Sequence, residues 1–313
     1  MESLPVGRED VERAAGVIAG RLHRTPTLSC RTLGPDVFLK AELFQRTGSF
    51  KPRGVLTKLA SLTAEEKARG VIAASAGNHA AALAFGGALE GIDALVVMYQ
   101  GASEVKLRAA EAYGATIDLE ATGPGDVFER LDALQNETGR VLVHPFDDHL
   151  VIAGQGTVGL EILEDNPDVE RILVPCGGGG LFSGIAAAAE RADIEVVPVE
   201  PENSRALYAA FESGETKRVE ARSVADGLNA PFAGELALAS ARALGVEPVL
   251  VTEDELAEGF RFLYQRAKLA CEPAGAAAVA ALLAGKVEGG RTVCVVSGGN
   301  VAAHTAAGIL ASP

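Results

Sequence analysis

Short apolar runs alternate along the chain with longer stretches in which apolar positions recur at helical spacing. Residues 37–39, 71–74, 94–98, 141–143, 172–175, 195–199, 248–251 and 292–296 read as strands. Residues 79–89, 105–113, 127–134, 181–191 and 253–269 read as helices, and the alanines of 274–283 suit a tightly packed helix. Strand runs that are apolar on both faces and separated by helices predict a mainly parallel sheet covered on both sides. The fold class is therefore α/β. Residues 200–223 show no such pattern and are expected to form a long surface excursion. No fixed-period repeat or low-complexity linker marks a domain boundary.

Composition narrows the function. The 313 residues suffice for about two domains. A net charge of −14 repels phosphate backbones, so a general nucleic-acid binder is not expected. Tryptophan is absent and aromatics are 5%, which leaves little for a base-stacking platform. No uninterrupted apolar window is long enough to span a membrane, and the N-terminus lacks an apolar signal core. Cys30, Cys176, Cys271 and Cys294 are widely spaced, as reduced, buried thiols of a cytoplasmic protein would be.

Four segments carry chemistry. Thr47-Gly48-Ser49-Phe50-Lys51-Pro52-Arg53-Gly54 lies between a strand pattern and a helix pattern. Ser49 is a candidate N-cap, which would set Lys51 in the first helical turn. A cation is disfavoured at that end of the helix dipole, so the amine loses its proton more readily and can attack an aldehyde. Ser75-Ala76-Gly77-Asn78-His79 follows a strand and opens an alanine-rich helix, where free N–H groups suit a carboxylate. Cys176-Gly177-Gly178-Gly179-Gly180-Leu181 is also a strand-to-helix junction. Its glycines let main chain wrap closely around a phosphate. Ser297-Gly298-Gly299-Asn300 follows the last strand pattern, at the edge where open α/β sheets bind ligands. Gly154-Gln155-Gly156-Thr157-Val158-Gly159 matches a dinucleotide fingerprint, but no buried strand precedes it and Val174 stands about 20 positions on, where an acidic residue is needed.

Together these blocks, in this order, resemble the fold type II pyridoxal-phosphate (PLP) enzymes, most closely the threonine/serine dehydratases and serine racemases. The resemblance runs from Arg24-Thr25-Pro26 to Asn300. It implies a tryptophan synthase β-like fold, with two open, twisted, mainly parallel-sheet domains and the cofactor between them. Residues 1–66 and 147–313 would form the large domain, and 67–146 a small mobile one. By resemblance, Lys51 binds PLP covalently, Phe50 packs near the ring and Asn78 bonds the 3′-oxygen. Gly177, Gly178, Gly179, Gly180 and Leu181 cradle the phosphate, Ser297 faces the ring nitrogen, and Ser75, Ala76, Gly77, Asn78 and His79 hold the substrate carboxylate. Glu272-Pro273-Ala274-Gly275 matches a further block beside the cofactor.

The implied reaction is dehydration and deamination of a β-hydroxy amino acid, such as threonine or serine, to a 2-oxo acid and ammonia. Lys51 is the general base, and a neutral serine at the ring nitrogen suits elimination better than transamination. By the same resemblance, Lys51-Pro52-Arg53 and Ser75-Ala76-Gly77-Asn78-His79 favour the dehydratase branch. Racemisation, with Lys51 and Ser75 on opposite faces, and ammonia-lyase action on hydroxyaspartate or another β-hydroxy amino acid are alternatives of the same fold. A non-catalytic PLP or amino-acid binder is the alternative of another class. Two departures stand out. Ala81 replaces a frequent glutamine. Glu200-Pro201-Glu202-Asn203-Ser204-Arg205-Ala206 lacks the closing carboxylate of the metal-dependent members, so no metal site is expected. A homodimer is implied, and feedback through an added regulatory domain is not.

Overall fold

The computed structural model describes residues 3–101, 104–123, 126–190 and 192–311. The strands are β1 (Thr27–Ser29), β2 (Val37–Ala41), β3 (Val71–Ala74), β4 (Ala94–Tyr99), β5 (Thr116–Ala121), β6 (Val141–Leu142), β7 (Arg171–Pro175), β8 (Glu195–Pro201), β9 (Val249–Val251) and β10 (Thr292–Val296). The first helices are α1 (Arg8–Ile18), α2 (Pro52–Ala60), α3 (Ala64–Arg69), α4 (Asn78–Glu90), α5 (Glu104–Ala112), α6 (Val127–Thr138) and α7 (His149–Asp165). They are followed by α8 (Gly180–Ala188), α9 (Ala206–Ser213), α10 (Glu235–Leu244), α11 (Glu253–Phe262), α12 (Pro273–Leu283) and α13 (Ala303–Ala311).

One sheet has the order β1-β2-β10-β7-β8-β9 and the other β5-β4-β3-β6. Every pairing is parallel except β1 with β2. The α/β class and the two mainly parallel sheets match the expectation. Alternation along the central strands explains why both faces are covered. Leu173, Cys294 and Val296 pack into a core with α11 and α12, while Ile172, Val174, Val293 and Val295 pack on the opposite side with α7, α8 and α10. The smaller sheet repeats the pattern. Val71, Ala73, Val96 and Met98 face α4, and Ile72, Ala74, Leu95 and Val97 face α6. Each buried Val, Leu or Ile contributes about 1.5–3 kcal/mol relative to exposure.

Several expectations change. Residues 200–223 are a surface excursion only in their second half: 200–213 finish β8 and form α9, with Glu200, Ser204, Ala206, Leu207 and Ala210 buried, whereas 214–223 hold no helix or strand and are mostly exposed or half-buried. The expected helix 253–269 holds α-helical bonding only through Phe262 and continues as a π turn, Leu263–Ala267. Ser49 does not cap α2. It is extended (φ −161°, ψ 166°), pairs with Gly298, and leaves Lys51 just before the helix rather than in its first turn. Arg191, the last residue of one expected helix, lies outside the described residues. Strands β1 and β5 were not anticipated, nor were α1, α7 and α10.

The dinucleotide-like glycines sit inside α7, not at a strand-to-helix turn. A Cβ on Gly156 would lie 2.5 Å from the Gly184 carbonyl of α8, and one on Gly159 2.8 Å from the Ala188 methyl. Gly154 presses on the Arg53 carbonyl and on Gly54 of α2. Their absent side chains let three helices pack at close range. All four cysteines are free and buried.

Candidate active site

The carboxyl ends of β3, β7 and β10 converge on a cavity of about 700 Å³ that also receives Lys51. Phe50, Lys51, Ser75, Ala76, Gly77, Asn78, His79, Gly177, Gly178, Gly179, Gly180, Leu181 and Ser297 all line it. Segments as distant in sequence as Phe50 and Ser297 thus share one cleft.

Lys51 reaches the cleft from a turn anchored on the end of β10. The Phe50 N–H donates to the Ser297 carbonyl at 3.2 Å, and Ser49 bridges to Gly298. The Lys51 amine donates to the Pro145 carbonyl at 2.8 Å and lies 5.1 Å from the Phe50 ring centroid. Burial pulls its pKa down to about 8, against the opposing charge of Glu272. At pH 7 roughly 10% of such an amine is neutral, against about 0.03% of an ordinary lysine. The helix-dipole argument is therefore secondary: desolvation is the first cause of the shift.

The glycine junction leads from β7 into α8. The first N–H groups of a helix have no acceptor within it, and here glycine supplies the cap, Gly179, and the first helical residue, Gly180, before Leu181 and Phe182. Gly179 has φ +90°, which glycine adopts without strain. A Cβ on Gly177 would come within 3.0 Å of Leu228 main chain, and one on Gly180 within 2.8 Å of the Phe146 carbonyl. On Gly178 it would strike the Phe146 ring, and on Gly179 the Ala237 methyl. The cup is thus closed behind by packed atoms and open only toward the cleft.

At the second junction Gly77 precedes α4, no side chain caps the helix, and the Gly77 N–H donates to the Ser75 hydroxyl at 3.2 Å. His79 is buried and shares a 2.8 Å hydrogen bond with the Val143 carbonyl. Burial first, then Lys51, lowers its pKa to about 3, so it is a neutral imidazole. Its Nδ1 is buried without a partner among the described residues. Asn78 donates to Glu272 Oε1 at 2.6 Å and accepts from Asn300 at 2.8 Å. Asn300 also donates to the Thr47 carbonyl at 2.7 Å. These bonds tie the small sheet to α12 and to the lysine turn, and they give Glu272 a partner that its sequence block alone did not reveal.

The cleft residues fit the expected cofactor. A glycine cup lies at one helix N-terminus, a buried amine of lowered basicity beside it, a hydroxyl at the end of β10, and Ala274, Gly227 and Leu228 offer small or apolar walls to a ring. Pro145 and Phe146, from the segment after β6, line the cavity as well. Tyr99, Phe128 and Arg218 also line the cavity, and no local pattern singled them out. Glu200 is buried at the end of β8. Its carboxylate accepts from the Leu207 and Tyr208 N–H groups at 2.8 and 2.7 Å, and burial nevertheless raises its pKa to about 8. Among the described residues no group of three or more His, Cys, Asp or Glu is placed to hold a metal ion, and no helix is long and apolar enough to cross a membrane.

Comparison with known proteins gives a consistent picture. The family described as "Pyridoxal-phosphate dependent enzyme" matches residues 18–298. The chain is 43% identical over 310 residues to the L-threonine dehydratase catabolic TdcB of Escherichia coli (strain K12), covering 95% of this chain and 94% of that protein. The T.th. threonine deaminase superposes with a TM-score of 0.87 at 39% identity, over 95% of this chain and 99% of that one. Maize serine racemase superposes with a TM-score of 0.90 at 34% identity, over 96% and 95%.

Proposed function

The chain belongs to the pyridoxal-phosphate-dependent enzyme family, and on that premise we propose that it is an ammonia-lyase converting L-threonine, and L-serine, to the 2-oxo acid and ammonia. The observation that carries the reading is the buried Lys51 amine in one cleft with two uncapped helix N-termini, one of glycines and one of Ser75 to His79. In this reading Lys51 carries PLP, residues 177–181 hold its phosphate, and Ser297 faces its ring nitrogen. Phe50 packs beside the ring, and Asn78, which has a second amide hydrogen beyond the one given to Glu272, bonds the 3′-oxygen. The substrate carboxylate takes the N–H groups and hydroxyl of the junction after β3.

When bound, PLP supplies an electron sink that acidifies the Cα–H of an attached amino acid. Lys51, displaced as a free amine, takes that proton as general base. Burial, which disfavours the charged form of Lys51, favours the neutral amine that this step needs. Phe146 and Leu228, packed behind the cup, exclude water from the phosphate end. The Cα proton and the departing β-hydroxyl together would make one water, and a second water, by hydrolysis, would leave the 2-oxo acid and ammonia.

The four-stranded sheet and its helices, residues 67–146, form the mobile small domain of this reading, with 1–66 and 147–313 as the large one. Cytoplasmic location and a homodimer complete it; light scattering of the holoenzyme tests the latter. A second reading, racemisation, has the support of Ser75, whose hydroxyl lines the same cleft as Lys51.

Borohydride reduction of the PLP-loaded protein followed by peptide mapping is expected to place the adduct on Lys51. Lys51→Ala is expected to lose the adduct and lower kcat by at least ~10⁴-fold. Oxo acid and ammonia in equal yield from threonine support the lyase, and accumulation of the opposite enantiomer supports the racemase. An adduct on another lysine would overturn both.

A further inference from the structure

Two residues after Lys51, Arg53 is fully buried in the first turn of α2. A guanidinium has five N–H donors, and each has a hydrogen bond here. Nε and Nη2 donate to Glu42 at 2.8 Å each, Nη1 and Nη2 to Glu161 at 2.7 and 3.0 Å, and Nη1 to the Thr157 hydroxyl at 3.1 Å. Glu161 also accepts from buried Lys40 at 2.6 Å, and Lys40 donates to the Thr25 carbonyl at 2.7 Å. Thr25 in turn donates to Glu42. Burial opposes ionisation of Glu161, but Arg53 and Lys40 outweigh it and hold its carboxyl below the usual range.

Removing ions from water costs about as much as their pairing returns, so apolar packing of the same volume would stabilise the fold as well. What the ions add is direction. Two planar carboxylates, from the end of β2 and from α7, grip one planar cation and fix the turn that bears it. The same turn is pressed onto α7, where a Cβ on Gly54 would lie 2.6 Å from the Val151 carbonyl. Upstream, Phe50 is tied to Ser297. Lys51 stands between these two anchors.

We propose that Arg53 is a positioning residue, whose clamp between Glu42 and Glu161 holds the turn so that the Lys51 amine stays buried in the cleft. The proposal rests on the reading of Lys51 as the cofactor-bearing amine. Glu272, at the start of α12, His79 on α4 and His144 after β6 act electrostatically with Lys51. Arg53 spends its donors on Glu42, Glu161 and Thr157, so it holds Lys51 through the turn they share.

The test compares Arg53→Lys with Arg171→Met, which removes the pairing with Glu195 at the amino end of β7, away from the clamp and the cleft. Acetylation of Lys51 in the full chain without PLP is followed by mass spectrometry across pH, alongside kcat, KM and Tm. Arg53→Lys is expected to raise the acetylation midpoint by about one pH unit, toward the ordinary lysine value. It is also expected to lower kcat about tenfold, with KM changed less than twofold. Arg171→Met is expected to lower Tm yet keep the wild-type midpoint and kcat. Equal midpoint shifts in both variants, or none in Arg53→Lys, overturn the proposal. Should Arg53→Lys fail to fold, Glu42→Gln, which weakens the same grip, is read by the same criteria. The acetylation profile needs no cofactor, so failure of the Lys51 adduct in the wild type overturns the functional reading separately.

Discussion

The junction after β7 presents main chain to the cleft, whereas the junction after β3 presents side chains. Both lead from the carboxyl end of a parallel strand into a helix, and both offer unpaired N–H groups to an anion. After β7, four glycines are backed by Phe146, Leu228 and Ala237, so the cup has one shape. After β3, Ser75, Asn78 and His79 add a hydroxyl, an amide and a neutral imidazole. The difference suits the two anions of the proposed reaction. A phosphate that stays bound needs a fixed cup without reactive groups. A carboxylate that arrives and leaves in every turnover needs groups that orient it and respond to it.

The strongest way to break this comparison is to give the main-chain cup a side chain. Gly178→Ala drives a methyl into the Phe146 ring. Overpacking of this kind costs about 3 kcal/mol, so PLP affinity is expected to fall roughly 100-fold. Equilibrium dialysis measures it. Adding Phe146→Ala is expected to restore at least ~10-fold of the loss, since the obstruction is removed. A Gly178→Ala protein that binds PLP as the wild type does would show that the cup is not the phosphate site.

A smaller effect separates the junctions by pH. His79 has a folded pKa of about 3, below its ordinary 6.5, chiefly through burial. As pH falls below 6.5 the unfolded chain therefore takes up a proton that the folded chain refuses until about pH 3. Stability is complete above 6.5 and declines toward 3. His79→Gln removes that uptake, and the slope of unfolding free energy between pH 6.5 and 4.5 is expected to flatten by about 1 kcal/mol per pH unit. Urea unfolding at those pH values reads it. An unchanged slope would mean that His79 is not a buried neutral imidazole, and the second junction would lose its distinguishing group.

The sequence made the two junctions legible for a physical reason. Ligand-facing chemistry in parallel sheets concentrates at strand ends, and residues there need not serve the core. The central strands were equally legible, because burial on both faces leaves an unbroken apolar run. What escaped notice lacked such a local signature. Strand β5 is an edge strand whose side chains are mostly exposed or half-buried. Helix α7 carries Gly154, Gly156 and Gly159, which weaken helix propensity but are required by its closeness to α2 and α8. Ser49 had the chemistry of a cap, yet a pairing with Gly298 far along the chain claimed its backbone. The Pro145 carbonyl that holds Lys51 is a main-chain atom, invisible to any reading of side chains. Glu272 meets Asn78 only through tertiary folding.

The mildest substitution sharpens the comparison most. Ser75→Ala removes one hydroxyl from the junction after β3 and leaves the glycine cup untouched. That hydroxyl accepts the Gly77 N–H and lines the cleft, so it shapes the turn and remains within reach of the substrate. Loss of one such hydrogen bond is worth about 1.4 kcal/mol. The expected result is a tenfold fall in kcat/KM for threonine with PLP affinity changed less than twofold. If Ser75 is also the second acid of a racemase, loss of racemisation is expected to exceed loss of oxo-acid formation by a further ~10-fold or more, and chiral chromatography beside an oxo-acid assay measures both from one sample. Equal loss in both products would confine Ser75 to holding the substrate. A fall in PLP affinity as large as that in kcat/KM would instead join the two junctions into one site for one anion, and the division of labour argued from their chemistry would fail.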